Sequence, residues 1–194
     1  MRKKLSRKNS PIKLAAAIGV ILTIIWILLK LFDFCGEIFY PIKYKEYVEL
    51  YSAKYGMDKY FIYSVIKTES NFNEKAESNV GARGLMQIMN DAFDWIKYRM
   101  SDSRDISYDD MFKAEYNIEY GTYMLKLLTD EYGDYETALA AYHAGRTTVN
   151  NWLSDEKYSF DGKTLKKIPS KTTAHYVQKV MKAYKSYTNI YNKE

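Results

Sequence analysis

The sequence predicts an all-α domain carried behind an N-terminal apolar helix. Three observations predict it. Apolar residues recur at helical spacing in each long segment after residue 40. Only three prolines interrupt 194 residues, and no run alternates apolar and polar residues as a half-buried strand would. One short extended piece is expected near 85–89. The roughly 150 residues beyond the apolar helix are enough to bury a core.

Taken in order, residues 1–11 form a basic arm containing Arg2, Lys3, Lys4, Arg7 and Lys8, expected to stay in the cytoplasm. Residues 12–34 read as a single transmembrane signal-anchor. Positions 14–29, LAAAIGVILTIIWILL, carry no charge, and with Ile12, Leu31 and Phe32 the run approaches the roughly 20 residues a spanning helix needs. Lys30 can snorkel to the outer interface, which Trp26 also approaches. A cleaved signal peptide would need small residues where LKLFDFCGE offers large ones. Phe32-Asp33-Phe34 likewise argues against a lipoprotein site at Cys35. Cys35 is the only cysteine, so no internal disulfide can form. Residues 35–43 read as a linker.

The domain expected over 44–194 begins with Tyr44, Tyr47, Val48 and Tyr51 on one helical stripe, with Gly56 as a helix end. Asp58 can cap the next helix, FIYSVIKTES. Asn90 and Asp91 open another around Phe93, Trp95 and Ile96. AEYNIEYGTYMLKLLTDEY is long and periodic and stops at Gly133. ETALAAYHAG is short and rich in small residues. TAHYVQKVMKAYKSY places Tyr176, Val180 and Tyr184 on one stripe. No repeat or low-complexity tract is present.

The formal charge of +5 belongs to the arm and the apolar helix. From Ile38 onward 22 Lys and Arg balance 22 Asp and Glu, so no broad cationic face for nucleic acid is expected. One local bias remains: Lys157 to Lys185 holds eight lysines and one acid, Asp161. That pattern suits either a solvated surface or attraction to an anionic polymer.

Glu69 follows Ile62, Val65 and Ile66 on an apolar stripe, at the C-terminal end of its helix. Desolvation and the helix dipole both raise a carboxyl pKa there. A carboxylic acid still protonated near neutral pH is what general-acid catalysis requires. Lys67 points away from that stripe and is no partner. The competing reading is a frayed, exposed glutamate at a helix end. Further on, Gly81 and Gly84 bracket Ala82-Arg83, which suggests a tight turn.

Glu69-Ser70, then Ser78, then Gly81 to Gln87 (GARGLMQ), then Ala141 to Gly145 (AYHAG), then Tyr176-Val177 occur in an order that closely resembles the lytic transglycosylase (SLT) domain of glycoside hydrolase family 23. The resemblance covers about 44–187. It implies a lysozyme-like helical fold, within the α+β lysozyme-like superfamily, with a cleft for a peptidoglycan strand cut between N-acetylmuramic acid and N-acetylglucosamine. By the same resemblance Glu69 is the sole catalytic acid/base. Ser70, Ser78, Gly84, Met86, Gln87, Tyr142, His143 and Tyr176 are implied to contact substrate. His143 stands where the family usually has Asn, and Thr172 near where many members have Glu. No metal or cofactor is implied.

Most glycosidases use two carboxylates. Glu74, Glu77, Asp91 and Asp94 are near Glu69 in sequence, but each lies in a polar stretch. A single acid suffices if the substrate supplies the nucleophile, which gives a 1,6-anhydro product. Two alternatives stand beside this: hydrolysis, as in goose-type lysozymes, and a non-catalytic peptidoglycan-binding or assembly module.

Overall fold

The computed structural model describes residues 11–192; the arm at 1–10, the side chains at 11–13, 29 and 32–35, and the last two residues lie outside the described residues. The expected cytoplasmic arm and Cys35 therefore fall outside this description. The chain divides into two compact units, 1–41 and 42–194.

The first unit is one helix, α1 (Pro11–Phe39). A proline at the first helical position loses nothing, since its missing N–H would have had no intrahelical partner. Among the described residues no helix is long and apolar enough to cross a membrane. The apolar run whose side chains are described, 14–28, stops short of the roughly 20 residues a span needs. Its large side chains are exposed, Leu14, Ile21 and Trp26 among them.

The second unit is helical. It contains α2 (Lys45–Tyr55), α3 (Lys59–Glu69), α4 (Asn90–Met100), a 3-10 helix (Tyr108–Phe112), α5 (Ala114–Tyr132), α6 (Tyr135–Ala144), α7 (Arg146–Leu153) and α8 (Lys171–Tyr191). Local chemistry sets the ends. Gly56 and Gly133 take the left-handed conformation after α2 and α5 (φ 65° and 80°), which a residue without Cβ adopts at no cost. Asp58 accepts from the Tyr60 N–H at 2.7 Å to cap α3, and Asp134 accepts from Glu136 and Thr137 N–H to cap α6. The short α7 and the 3-10 helix are additions to the sequence reading.

α3 lies at the centre, packed along α8 and against α2. Its Phe61, Ile62, Val65 and Ile66 are fully buried. α5 packs on α2, α4 and α6, and contributes Ile118, Leu125 and Leu128 to the same core. Burying side chains of this size stabilises by about 1.5–3 kcal/mol each. Among the described residues no sheet forms. The extended piece expected near 85–89 is an isolated hairpin in which Arg83 and Ile88 exchange both backbone hydrogen bonds, at 2.9 and 3.0 Å.

Candidate active site

α3 ends at Glu69, and the chain then turns sharply. Asn71 and Phe72 both take positive φ (49° and 66°). The turn leaves the Glu69 side chain facing α8, where the Tyr176 hydroxyl donates to Oε1 at 2.6 Å. The residue is partly buried. Burial pushes its pKa up to about 7 from 4.5, against the opposing pull of the Tyr176 hydrogen bond and the Lys179 ammonium. Lys67 is turned the other way, its ammonium donating to the Asn71 side-chain oxygen at 2.5 Å.

The 76–88 loop forms the adjacent wall. The Ser70 hydroxyl donates to the Leu85 carbonyl at 2.8 Å, and the Tyr142 hydroxyl, from α6, donates to the Met86 carbonyl at 2.6 Å. Burial raises the Tyr142 and Tyr176 phenols well above their ordinary value, with the Glu69 charge adding to it, so both stay protonated donors. Four elements thus converge on one carboxyl: the end of α3, the loop, α6 and α8.

Several residues expected to line the groove also hold its wall in shape. Gly84 is buried, with φ 75°. A Cβ there would lie 2.1 Å from the Met111 carbonyl oxygen and 2.4 Å from Asn117 Nδ2, so this glycine is required for the loop to approach α5. Met86 is fully buried, and a Cβ on Gly121 would meet its sulfur at 2.4 Å. Its side chain fills the core, and only its carbonyl faces Tyr142. The Gln87 side-chain amide donates back to the Ala76 and Gly84 carbonyls at 3.1 and 2.9 Å. Ser70 spends its one hydroxyl proton on backbone carbonyls. Ser78 accepts from the Ala82 N–H at 2.9 Å, closing its own turn. These five hold the wall in shape. The side chains of Ser70, Ser78, Met86 and Gln87 each make a contact within the domain, and the glycan contact expected of these five residues belongs to the proposal below.

Tyr142, His143 and Tyr176 remain beside Glu69. The exposed His143 ring lies 4.5 Å from the Tyr176 ring, and its Nδ1 is 3.3 Å from the Thr173 hydroxyl. Desolvation lowers the His143 pKa, favouring the neutral ring at neutral pH.

The sequence reading missed Asn117. It is fully buried in α5, accepts from the Met86 N–H at 2.7 Å, and donates to the Arg83 and Met111 carbonyls at 2.9 and 2.8 Å. One amide thereby satisfies three backbone groups of the loop and its neighbour. The available signal was its register: an asparagine, poor in helix interiors, on the stripe of Ala114 and Gly121.

No second carboxylate joins Glu69 from the candidates near it in sequence. Glu77 is paired with Arg83 at 3.3 Å, and Asp94 accepts from Asn90. Among the described residues no group of His, Cys, Asp and Glu is placed to hold a metal ion.

The profile of the family described as "Transglycosylase SLT domain" matches residues 46–165. A transglycosylase of Enterobacteria phage PRD1 is 36% identical over 117 residues, covering 60% of this chain and 40% of that protein. The soluble lytic murein transglycosylase of Salmonella typhimurium is 32% identical over 162 residues, covering 81% of this chain and 24% of that one. Among solved structures, an inactive Glu-to-Gln mutant of lytic transglycosylase Slt from Pseudomonas aeruginosa superposes with a TM-score of 0.70 at 28% identity, covering 80% of this chain and 25% of that one. The chain spans less than half the length of the curated relatives it matches here.

Proposed function

The chain belongs to the transglycosylase SLT domain family, and from that premise we propose that it is a peptidoglycan lytic transglycosylase with Glu69 as its single acid/base. The observation that carries the proposal is the Glu69 carboxyl itself. It is desolvated and hydrogen-bonded by Tyr176, with a pKa of about 7. At neutral pH such a group is present in both protonation states, so it can give a proton and then take one.

Glu69 protonates the glycosidic oxygen between N-acetylmuramic acid and N-acetylglucosamine, and the C1–O bond breaks. The positive charge developing at muramic acid C1 is met by the substrate's own N-acetyl oxygen. Glu69, now ionised and still bonded by Tyr176, takes the proton of the C6 hydroxyl, whose oxygen attacks C1. The proton is returned to the enzyme and no water is consumed. Holding the C6 hydroxyl and C1 in one bound sugar makes the attack intramolecular, which favours it over attack by solvent. Tyr142 and Ser70 fix the wall opposite α8 through backbone carbonyls, so the acid keeps its position through both half-reactions.

The N-terminal helix belongs to the same proposal. The uncharged stretch at 14–29 and the exposed apolar surface of α1 support a single-pass anchor, with the catalytic domain on the wall side of the cell membrane.

Mass spectrometry of glycan released from purified sacculi tests the reaction. The proposal requires fragments ending in 1,6-anhydromuramic acid, one water lighter than hydrolysis products. Reducing-end muramic acid as the main product would instead make the chain a lysozyme-type hydrolase. No release at all would make it a binding module.

A further inference from the structure

A buried polar group on α3 has nothing to bond. Tyr63, in the second turn of that helix, is 1% exposed, and its hydroxyl has no hydrogen-bond partner among the described residues. Unpaired buried polar groups are rare in folded proteins, because the hydration they lose is not replaced. A phenylalanine would fill the same space without that cost, so the hydroxyl is explained by a partner from outside the chain.

Tyr63 lines a recess of about 160 Å³ with Ile42, with Lys45 and Glu49 of α2, with Lys59 and Tyr60 of α3, and with Tyr191 of α8. Burial raises the Tyr63 phenol well above its ordinary value, and Glu49, Tyr60 and Tyr191 add to the rise, so the hydroxyl faces those walls. Neither Glu69 nor the loop beside it lines this recess. Tyr63 lies about 120° round α3 from Glu69 and about 9 Å before it along the axis, and Tyr191 lies about 22 Å along α8 from Tyr176.

The lining groups define what fits. Lys45 and Lys59 stand 3.9 and 4.0 Å from the Glu49 carboxylate, too far for hydrogen bonds, so all three keep bonding capacity. An anion entering here would meet Glu49, and a cation would meet the two lysines. A neutral ligand that carries both donors and acceptors meets neither conflict. The stacked Tyr60 and Tyr191 rings, 6.3 Å apart, and Ile42 supply apolar surface for the rest of it. An acetamido group answers the set: a carbonyl for the Tyr63 hydroxyl, an N–H for Glu49 and a methyl for Ile42. The recess is smaller than the roughly 300–1,000 Å³ clefts that enclose drug-sized ligands, so it takes a single sugar unit.

We propose that this recess is a second, non-catalytic sugar site, remote from the acid, that takes one N-acetylamino sugar unit with Tyr63, Glu49, Lys45 and Lys59 as its polar contacts. The inference rests on the peptidoglycan reading above, because that polymer offers such units in every strand. Engagement at the recess keeps the enzyme on the polymer while the groove at Glu69 is empty, which raises the effective concentration of substrate there.

The test follows the tyrosine ring Cζ carbons of the full chain in detergent by NMR, with Tyr63→Phe to assign the Tyr63 signal. That variant removes an unpartnered hydroxyl, so its thermal midpoint should match or exceed that of wild type. Methyl N-acetyl-β-glucosaminide should move the Tyr63 signal, and Glu49→Leu should weaken that response by about tenfold. Methyl glucoside, which lacks the acetamido group, and inorganic phosphate should leave the signal in place. On sacculi, Tyr63→Phe should raise KM and keep kcat. A Tyr63 signal unmoved by the acetamido sugar would overturn the inference, as would one moved equally by methyl glucoside or by phosphate. A lowered midpoint in Tyr63→Phe would overturn it by giving the hydroxyl a partner within the chain. An unchanged KM would overturn it as well, and a lowered kcat would make the recess part of the catalytic groove and overturn its separate role. Each of these results leaves the transglycosylase reading standing. Wild-type protein that binds the sugar at Tyr63 and leaves sacculi intact would overturn that reading alone.

Discussion

Glu69 and Glu119 are both drawn into the same helical domain, and their surroundings are opposite. Glu119, in the middle of α5, is 1% exposed. It accepts from Lys54 Nζ at 2.7 Å, from Arg104 Nη2 at 2.8 Å and from the Tyr55 hydroxyl at 3.3 Å. Arg104 in turn holds Asp102, which also accepts from the Tyr120 hydroxyl at 2.8 Å. Charge there is answered by charge, and the network ties α2, α5 and the segment after α4 together. Glu69, at the end of α3, has one neutral hydroxyl against it and a lysine at longer range. Burial beside cationic partners makes a carboxylate the anchor of an ion-pair network. Burial without them leaves a proton available for transfer. The more deeply buried glutamate is therefore the structural one.

That contrast can be broken most sharply by Glu69→Gln. The substitution keeps shape and removes the transferable proton, so activity on sacculi should fall by about 100-fold or more. Folding should not suffer. The native state holds a proton up to pH about 7 that the unfolded chain releases near 4.5, so wild-type stability falls as pH rises across that window and is level above it. Glu69→Gln lacks this fall. Its thermal midpoint should exceed that of wild type at pH 8, and the two should converge near pH 4. An equal offset at both pH values would mean that Glu69 is not desolvated in solution.

Glu119→Gln should do the reverse. It leaves Lys54 and Arg104 facing a neutral amide. Both are nearly half exposed and can regain water, so the loss should be about 1–2 kcal/mol rather than that of a fully buried pair. Denaturant unfolding should show it, with kcat unchanged. A kcat loss comparable to that of Glu69→Gln would erase the distinction.

Tyr176→Phe sharpens the comparison from the acid's side. The lost hydrogen bond favours the ionised carboxylate, so the Glu69 pKa rises and the alkaline limb of the pH–rate profile moves up. The rate should drop by about tenfold, because the returning base loses its orientation. A limb moved downward would contradict the bond's assigned role. His143→Asn should be the mildest change, within about threefold of wild type, and should flatten the acid side of the profile. Superimposable profiles would remove His143 as a titrating contact.

Much of this contrast was readable in the sequence, though unevenly. Periodicity placed α2 to α6 and α8, and the caps at Asp58 and Gly133 follow from local chemistry alone. The same periodicity put Glu69 on a buried stripe. The roles within GARGLMQ were not readable, because they depend on long-range partners. Gly84 is constrained by Met111 and Asn117, more than 25 residues away in the chain, and Met86 packs on Gly121. A loop can face its ligand with side chains or with backbone, and its sequence is the same in either case. The ion pairs of Glu119 were hidden for a related reason: α5's spacing shows that the position is buried, but Arg104 comes from an irregular segment.

The most direct test follows the Glu69 carboxyl carbon by NMR across pH 3 to 9 in the full chain, with Glu69→Gln to assign the signal. The account requires a midpoint of about 7, moving higher in Tyr176→Phe. A midpoint near 4.5, unmoved by Tyr176→Phe, would show an ordinary solvated glutamate and contradict the assignment of Glu69 as the proton donor.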